Sequence, residues 1–200
     1  MHFTAAVAFL IIPLGVLCSA LPAVSEQAQT TSEAFTTSAG EVRTVHFHRS
    51  VGGEATAQQT SSTANGSGAG ARLRKRFQFT ASGEDRDLCG ASSFVDKTSG
   101  GSPTVADCIC LRDFIRGKQG VYSVNRDDPR FDRLATCGTC TFGVDTANFF
   151  GTDLGNTDAA DIITSAIDMF QSGGLIGAEG RVGCDNAFQT AGTDWAIFHS

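Results

Sequence analysis

Residues 19–88 contain no cysteine, and after residue 76 the chain has two lysines, Lys97 and Lys118, and a single histidine, His199. Each scarcity excludes a class of function. Nucleic-acid binding rests on neutralising phosphates with Lys and Arg. Residues 77–200 instead carry nine basic and 17 acidic side chains, a formal charge of −8. The same excess of acid opposes electrostatic docking on anionic lipid and serves solubility. A Ser–His or Cys–His nucleophile needs a base, and a zinc site needs imidazoles or thiolates. The single histidine, at the penultimate position in the last expected strand, reads as structural or exposed rather than as that base, and by itself it completes no zinc tetrahedron. The longest apolar run, Ala5–Leu17, falls short of the ~20 residues of a spanning helix, holds Pro13 at its centre and has no basic flank. No stable membrane anchor is expected.

What is present at the start reads as a secretory signal peptide, although its n-region, Met1–Thr4, lacks Lys and Arg. The apolar run is followed by Cys18-Ser19-Ala20, small residues that suit signal peptidase, with cleavage after Ala20. Residues 1–20 are therefore expected to be removed and the protein secreted. Cys18 leaves with them. The other six cysteines, Cys89, Cys108, Cys110, Cys137, Cys140 and Cys184, all follow residue 88. In an oxidising compartment that is three disulfides. Cys137-Gly-Thr-Cys140 would suggest a redox or zinc motif only in a cytosolic chain.

Residues 21–76 are rich in Ser, Thr, Ala, Gln and Gly. Such a segment buries too little apolar surface to offset chain entropy, so disorder is expected. Val42–His48 alternates like a strand, and its His46-x-His48 would put two imidazoles on one face, which does not by itself make a metal site. Asn65-Gly-Ser is a glycosylation sequon. Leu73-Arg-Lys75-Arg76 is a dibasic site of the kind cut by kexin-type proteases, at the point where the composition changes. The expected organisation is a signal peptide (1–20), a disordered propeptide (21–76) and a mature domain (77–200).

The mature domain holds eleven phenylalanines with Trp195 and Tyr122, ample for a core. Asp158–Gln171 places Ala159, Ile162, Ile163, Ala166, Ile167 and Phe170 on one helical face, with Asp158 as N-cap and Gly173-Gly174 as the stop. A second helix starts at Ser102 as N-cap with Pro103 at the first helical position, and runs to about Gly117. Strands are expected at 121–125, 131–135, 140–146, 175–184 and 194–199. Together these give an α+β fold, two helices packed on one face of a mostly antiparallel sheet in a disulfide-stapled sandwich.

Several stretches resemble, in order, the putative necrosis-inducing factor family of secreted fungal effectors, homologues of an extracellular protein of a leaf-mould fungus. They are Cys89-Gly-Ala-Ser-Ser-Phe94, Ser102-Pro-Thr-Val-Ala-Asp-Cys108, Cys140-Thr-Phe-Gly-Val144, Gly155-Asn-Thr-Asp158, Asp161-Ile-Ile163, Gly177-Ala-Glu-Gly180 with Cys184, and Asp194-Trp-Ala-Ile-Phe-His199. The resemblance implies a toxin-like virulence effector that induces host cell death through a host cell-surface protein or channel, with no catalytic residues and no cofactor. Related domains are joined to chitinase modules and likened to killer toxins, which gives the alternative of an antimicrobial protein aimed at competing microbes. A monomer is expected.

Cys110 and Cys137 depart from the family pattern together, which suggests that they pair with each other. Three arrangements of Cys89, Cys108, Cys140 and Cys184 then remain, of which Cys89–Cys184 with Cys108–Cys140 is the expectation. One objection stands against it. Cys108 and Cys110 point about 200° apart on a helix. Cys137 and Cys140 face opposite sides of a strand. Both bridges together would strain the helix unless Cys108 lies in irregular chain. Asp194 and His199, five residues apart on one strand, do not form a dyad. Asp153–Asp161 has calcium-like ligands without EF-hand spacing and reads as a turn and helix cap.

Overall fold

A computed structural model describes residues 30–48, 77–126, 131–186 and 188–200. The signal-peptide expectation, including Ala20, the sequon at Asn65 and the dibasic Lys75-Arg76 lie outside the described residues.

In chain order the strands before the first helix are β1 (Thr30–Thr36), β2 (Val42–His48), β3 (Phe77–Ala81), β4 (Cys89–Ser92) and β5 (Val95–Asp96). Then come α1 (Val105–Gly117), β6 (Gly120–Val124), β7 (Asp132–Cys137), β8 (Cys140–Thr146), β9 (Thr152–Gly155), α2 (Asn156–Phe170), β10 (Ala178–Asp185) and β11 (Thr190–His199). The class is α+β, and every strand pairing described is antiparallel. Two sheets form. The larger runs β1-β2-β7-β8-β11-β10-β4, with β5 also on β10, and the smaller runs β3-β6-β9. α1 lies against β7, β8 and β2, while α2 packs on α1 and on β6 and β9.

The helices follow the apolar spacing, but their starts differ from the sequence reading. Thr104, not Ser102, caps α1, its hydroxyl accepting from the Asp107 N–H at 3.2 Å. α2 begins two residues early, at Asn156, so Asp158 sits inside the first turn rather than at the cap. Its carboxylate reaches back to accept from the Gly155 N–H at 3.0 Å. That places an acid against the positive end of the helix.

The core joins Leu111, Phe114 and Ile115 of α1, Ile163 and Ala166 of α2, and Phe142, Val144, Trp195 and Ile197 of the large sheet. Trp195 is fully buried, and its indole N–H donates to Ser92 Oγ at 2.8 Å. Gly180 lies opposite it, and a Cβ there would come within 1.9 Å of the Ser93 carbonyl and 2.5 Å of the indole. Only glycine lets β10 pass between these two groups.

The expected disorder over residues 21–76 is corrected for residues 30–48, where the strand-like alternation at Val42–His48 is β2. β1 and β2 form a hairpin whose second strand pairs with β7, Val45 opposite Cys137 and Phe47 opposite Ala135. Few apolar residues occur here, but they alternate. Val45 and Phe47 are buried, and Phe35 and Phe47 stack on Phe114 with ring centroids 5.5 and 4.9 Å away. Composition averaged over 56 residues hid a segment in which Val45 and Phe47 are buried and two rings pack on Phe114 of α1.

Candidate functional site

Three disulfides fix the frame: Cys89–Cys184, Cys108–Cys140 and Cys110–Cys137. The geometric objection to the last two fails because Cys137 and Cys140 do not share a strand. Gly138 and Thr139 turn the chain between β7 and β8, so the two cysteines face each other across the ladder. The first turns of α1 lie over this hairpin and reach both, at Cα separations of 5.1 and 6.3 Å. Gly138 has φ 55°, and a Cβ on it would lie 2.5 Å from Asp107 Cγ. Cys137-Gly-Thr-Cys140 is thus a cross-linked turn.

Asp107 sits above that turn. Its carboxylate accepts from Thr139 N at 2.9 Å, Thr139 Oγ1 at 2.6 Å and Arg43 Nη1 at 2.6 Å. Burial pushes its pKa up, but the Thr139 bonds and then the Arg43 guanidinium outweigh burial and hold it below the usual carboxylate range. The oxygen-rich stretch 153–161 is similarly occupied. Asn156 Oδ1 accepts from Arg86 N at 2.8 Å, and its amide donates to Asp85 and to the Arg116 carbonyl, each at 3.0 Å. Asp161 pairs with Arg116.

Asp158 borders a cleft of about 210 Å³ that also touches Asp87, Ser92, Asp161 and Ser165. Burial pushes Asp158 up to about 6, against the pull of backbone donors at Leu88 (2.8 Å), Cys89 (3.2 Å) and Gly155. The Leu88 and Cys89 donors tie the 86–89 loop to α2, and the Gly155 donor closes the start of the helix. With its oxygens so engaged, Asp158 acts as a structural clasp.

His199 is exposed at the end of β11, its Nδ1 3.1 Å from the Ser200 carbonyl. Asp194, on the same strand, pairs with Arg181 at 3.4 Å, so the structure does not bring the two together as a dyad. His46 Nδ1 lies 2.8 Å from Ser32 Oγ on the facing strand, and the His48 side chain is outside the described residues. Among the described residues, no group of three or more His, Cys, Asp or Glu is placed to hold a metal. No described helix is long and apolar enough to cross a membrane.

The surface offers a different feature. Phe149 and Phe150, between β8 and β9, are 73% and 65% exposed, and Phe188, between β10 and β11, is 80% exposed. They adjoin one another, Phe149 edge-on to Phe150 at 5.5 Å and Phe150 against Phe188 at 5.6 Å. Large apolar rings of this kind belong in a core, and a cluster left in water marks a contact surface. Side-chain hydrogen bonds hold the described residues beside the rings. Asn148 Oδ1 accepts from Phe150 N at 2.9 Å, and Asn186 Oδ1 accepts from Phe188 N at 2.9 Å and Gln189 N at 2.8 Å. Asn186 also donates to the Gly151 carbonyl at 2.9 Å, joining the two loops. The sequence reading did not single these rings out. The available signal was Asn-Phe-Phe-Gly at 148–151, two aromatics set between turn residues rather than in an alternating strand.

A two-helix, antiparallel-sheet frame closed by three bridges defines the class as a small disulfide-stapled α+β domain. Residues 88–184 match the family model described as "pathogen effector; putative necrosis-inducing factor", so this domain is similar to members of that family. It is also similar to a Penicillium expansum protein named "probable chitinase LysM18", 30% identical over 113 residues. That match covers 55% of this chain and 8% of the relative's length, so the chain spans a small part of it.

Proposed function

We infer that this protein is a secreted, toxin-like virulence effector that induces host cell death by binding a host cell-surface protein or channel. The carrying observation is the exposed cluster of Phe149, Phe150 and Phe188, with the match to the effector family model giving the context. Aromatic anchors held on a pre-organised frame lose little entropy on binding. Three disulfides suit an oxidising, extracellular setting. Export would follow removal of residues 1–20, and processing would follow cleavage behind Arg76, with Asn65 glycosylated in the removed piece.

This reading is of a binding protein without catalysis or cofactor. Asp158, the carboxylate whose pKa burial raises, is engaged by backbone donors, and His199 faces solvent at a chain end. An antimicrobial action on competing microbes is the second reading, favoured by the chitinase name of the Penicillium relative. Infiltrating purified protein into leaves, beside microbial growth-inhibition and cell-wall glycan hydrolysis assays, tests these readings. Cell death in leaves without hydrolysis supports the first. Growth inhibition alone supports the second. Turnover of any glycan overturns both as stated.

A further inference from the structure

The hairpin at residues 30–48 lies upstream of the dibasic site yet is built into the domain downstream of it. β2 supplies the neighbour of β7 in the large sheet, with Val45, His46 and Phe47 opposite Cys137, Thr136 and Ala135. Without it, β7 would present an unpaired edge, which folded proteins ordinarily cover or blunt. The hairpin also closes the aromatic face of Phe114 with Phe35 and Phe47. Its charges match those beneath. Arg43 pairs with Asp107 at 2.6 Å, Glu33 with Lys118 at 2.6 Å, and Ser38 Oγ donates to Asp113 at 3.1 Å. None of the three disulfides reaches it, since all six bonded cysteines lie between residues 89 and 184. Its only covalent tie to the domain is the chain through residues 49–76, which contains Lys75-Arg76.

We propose that residues 30–48 are a strand-donating cover that stays docked on the edge of β7 after the chain is cut behind Arg76, making the processed protein a two-chain, non-covalent particle. The chemistry is β-augmentation supplied by the protein's own removed piece. Backbone pairing gives the docking, Val45 and Phe47 fill the apolar face, and Arg43 fixes the register on Asp107. Cleavage adds water across one peptide bond and leaves every contact of the hairpin in place. It does turn an intramolecular association into one that depends on concentration, so the cover becomes removable. A released cover would bare the β7 edge and the Phe114 ring and leave the three disulfides intact. This goes beyond the effector reading and does not depend on the aromatic cluster.

The test uses the full secreted chain, purified uncut and then treated with a kexin-type protease. The products are run on size exclusion in native buffer, and each peak is weighed under denaturing, non-reducing conditions. The expected result is one native peak at micromolar concentration holding two masses, the piece ending at Arg76 and residues 77–200. Phe47→Ala empties a buried ring site and should weaken retention about 100-fold, splitting the peak. Arg43→Ala should weaken it about tenfold without touching the core. Val42→Ala, at an exposed position, should leave retention unchanged. Elution of residues 77–200 alone overturns the proposal. So does a chain left uncut behind Arg76, or retention that is indifferent to both Phe47→Ala and Arg43→Ala.

Discussion

The two bridges from α1 to the β7–β8 turn should be strongly non-additive. Cys89–Cys184 joins residues 95 apart, Cys108–Cys140 residues 32 apart and Cys110–Cys137 residues 27 apart. Taken singly, the chain-entropy model values them at about 4.7, 3.7 and 3.6 kcal/mol. The last two are nested, however. Once Cys108–Cys140 is closed, closing Cys110–Cys137 adds only the loop through 108–110 and 137–140. With about five residues in that loop, the second bridge contributes about 2 kcal/mol. Cys110→Ala with Cys137→Ala should thus cost about 2 kcal/mol in urea unfolding at room temperature, and the variant should still be secreted and active. Removing both nested bridges should cost about 5–6 kcal/mol, close to a whole domain's stability. Removing Cys89–Cys184 should cost about 4–5 kcal/mol, and that variant should not accumulate. Alanine is the right replacement, because a serine hydroxyl at these buried positions would want a partner. A loss near 4 kcal/mol for the 110–137 pair alone would refute the nesting argument.

Other outcomes follow from single groups. Replacing Phe149, Phe150 and Phe188 with alanine should change unfolding free energy by no more than about 1 kcal/mol, since exposed rings support no packing; thermal melts check this. Tyr122 is fully buried, and its hydroxyl has no hydrogen-bond partner among the described residues. Tyr122→Phe should accordingly be neutral or stabilising by about 1 kcal/mol in the same urea assay. Asp158 has a folded pKa raised from 3.8 to about 6, so its contribution is full below 3.8 and is lost as pH rises through 6. Urea midpoints at pH 4 and pH 6.5 should differ less in Asp158→Asn than in the natural chain. His199→Ala should leave cell-death activity within a few fold in leaf infiltration, whereas a loss of ~100-fold would fit a missing proton-transfer group.

The helices and the long central strands were legible because apolar spacing alone specifies them, as at Ile162, Ile163, Ala166 and Ile167 on α2. The second sheet was not, because β9 has only four residues, Thr152–Gly155, and β3 starts at the expected processing point. Helix starts shifted because capping depends on which oxygen reaches an N–H. Ser102 looks as good a cap as Thr104 until the Asp107 N–H is placed. The objection to the cysteine pairing holds only for a single strand, and Gly138 reverses the chain between Cys137 and Cys140. The aromatic cluster is invisible in the sequence because the eleven phenylalanines of residues 77–200 all read as core until their exposure is known. The alternation at Val42–His48 shows β2 in the sequence, whereas β1 and the docking of the hairpin through Phe35, Val45 and Phe47 are lost in a polar average.

The central claim is that the cell-death activity is binding through Phe149, Phe150 and Phe188. Its most direct test is binding of labelled natural protein to plasma-membrane vesicles from responding leaf tissue, beside the Phe149→Ala, Phe150→Ala, Phe188→Ala variant. Saturable binding that unlabelled natural protein displaces, and that falls at least tenfold in a variant with an unchanged melt, is the expected result. Binding equal to that of the natural protein in the variant would contradict the account.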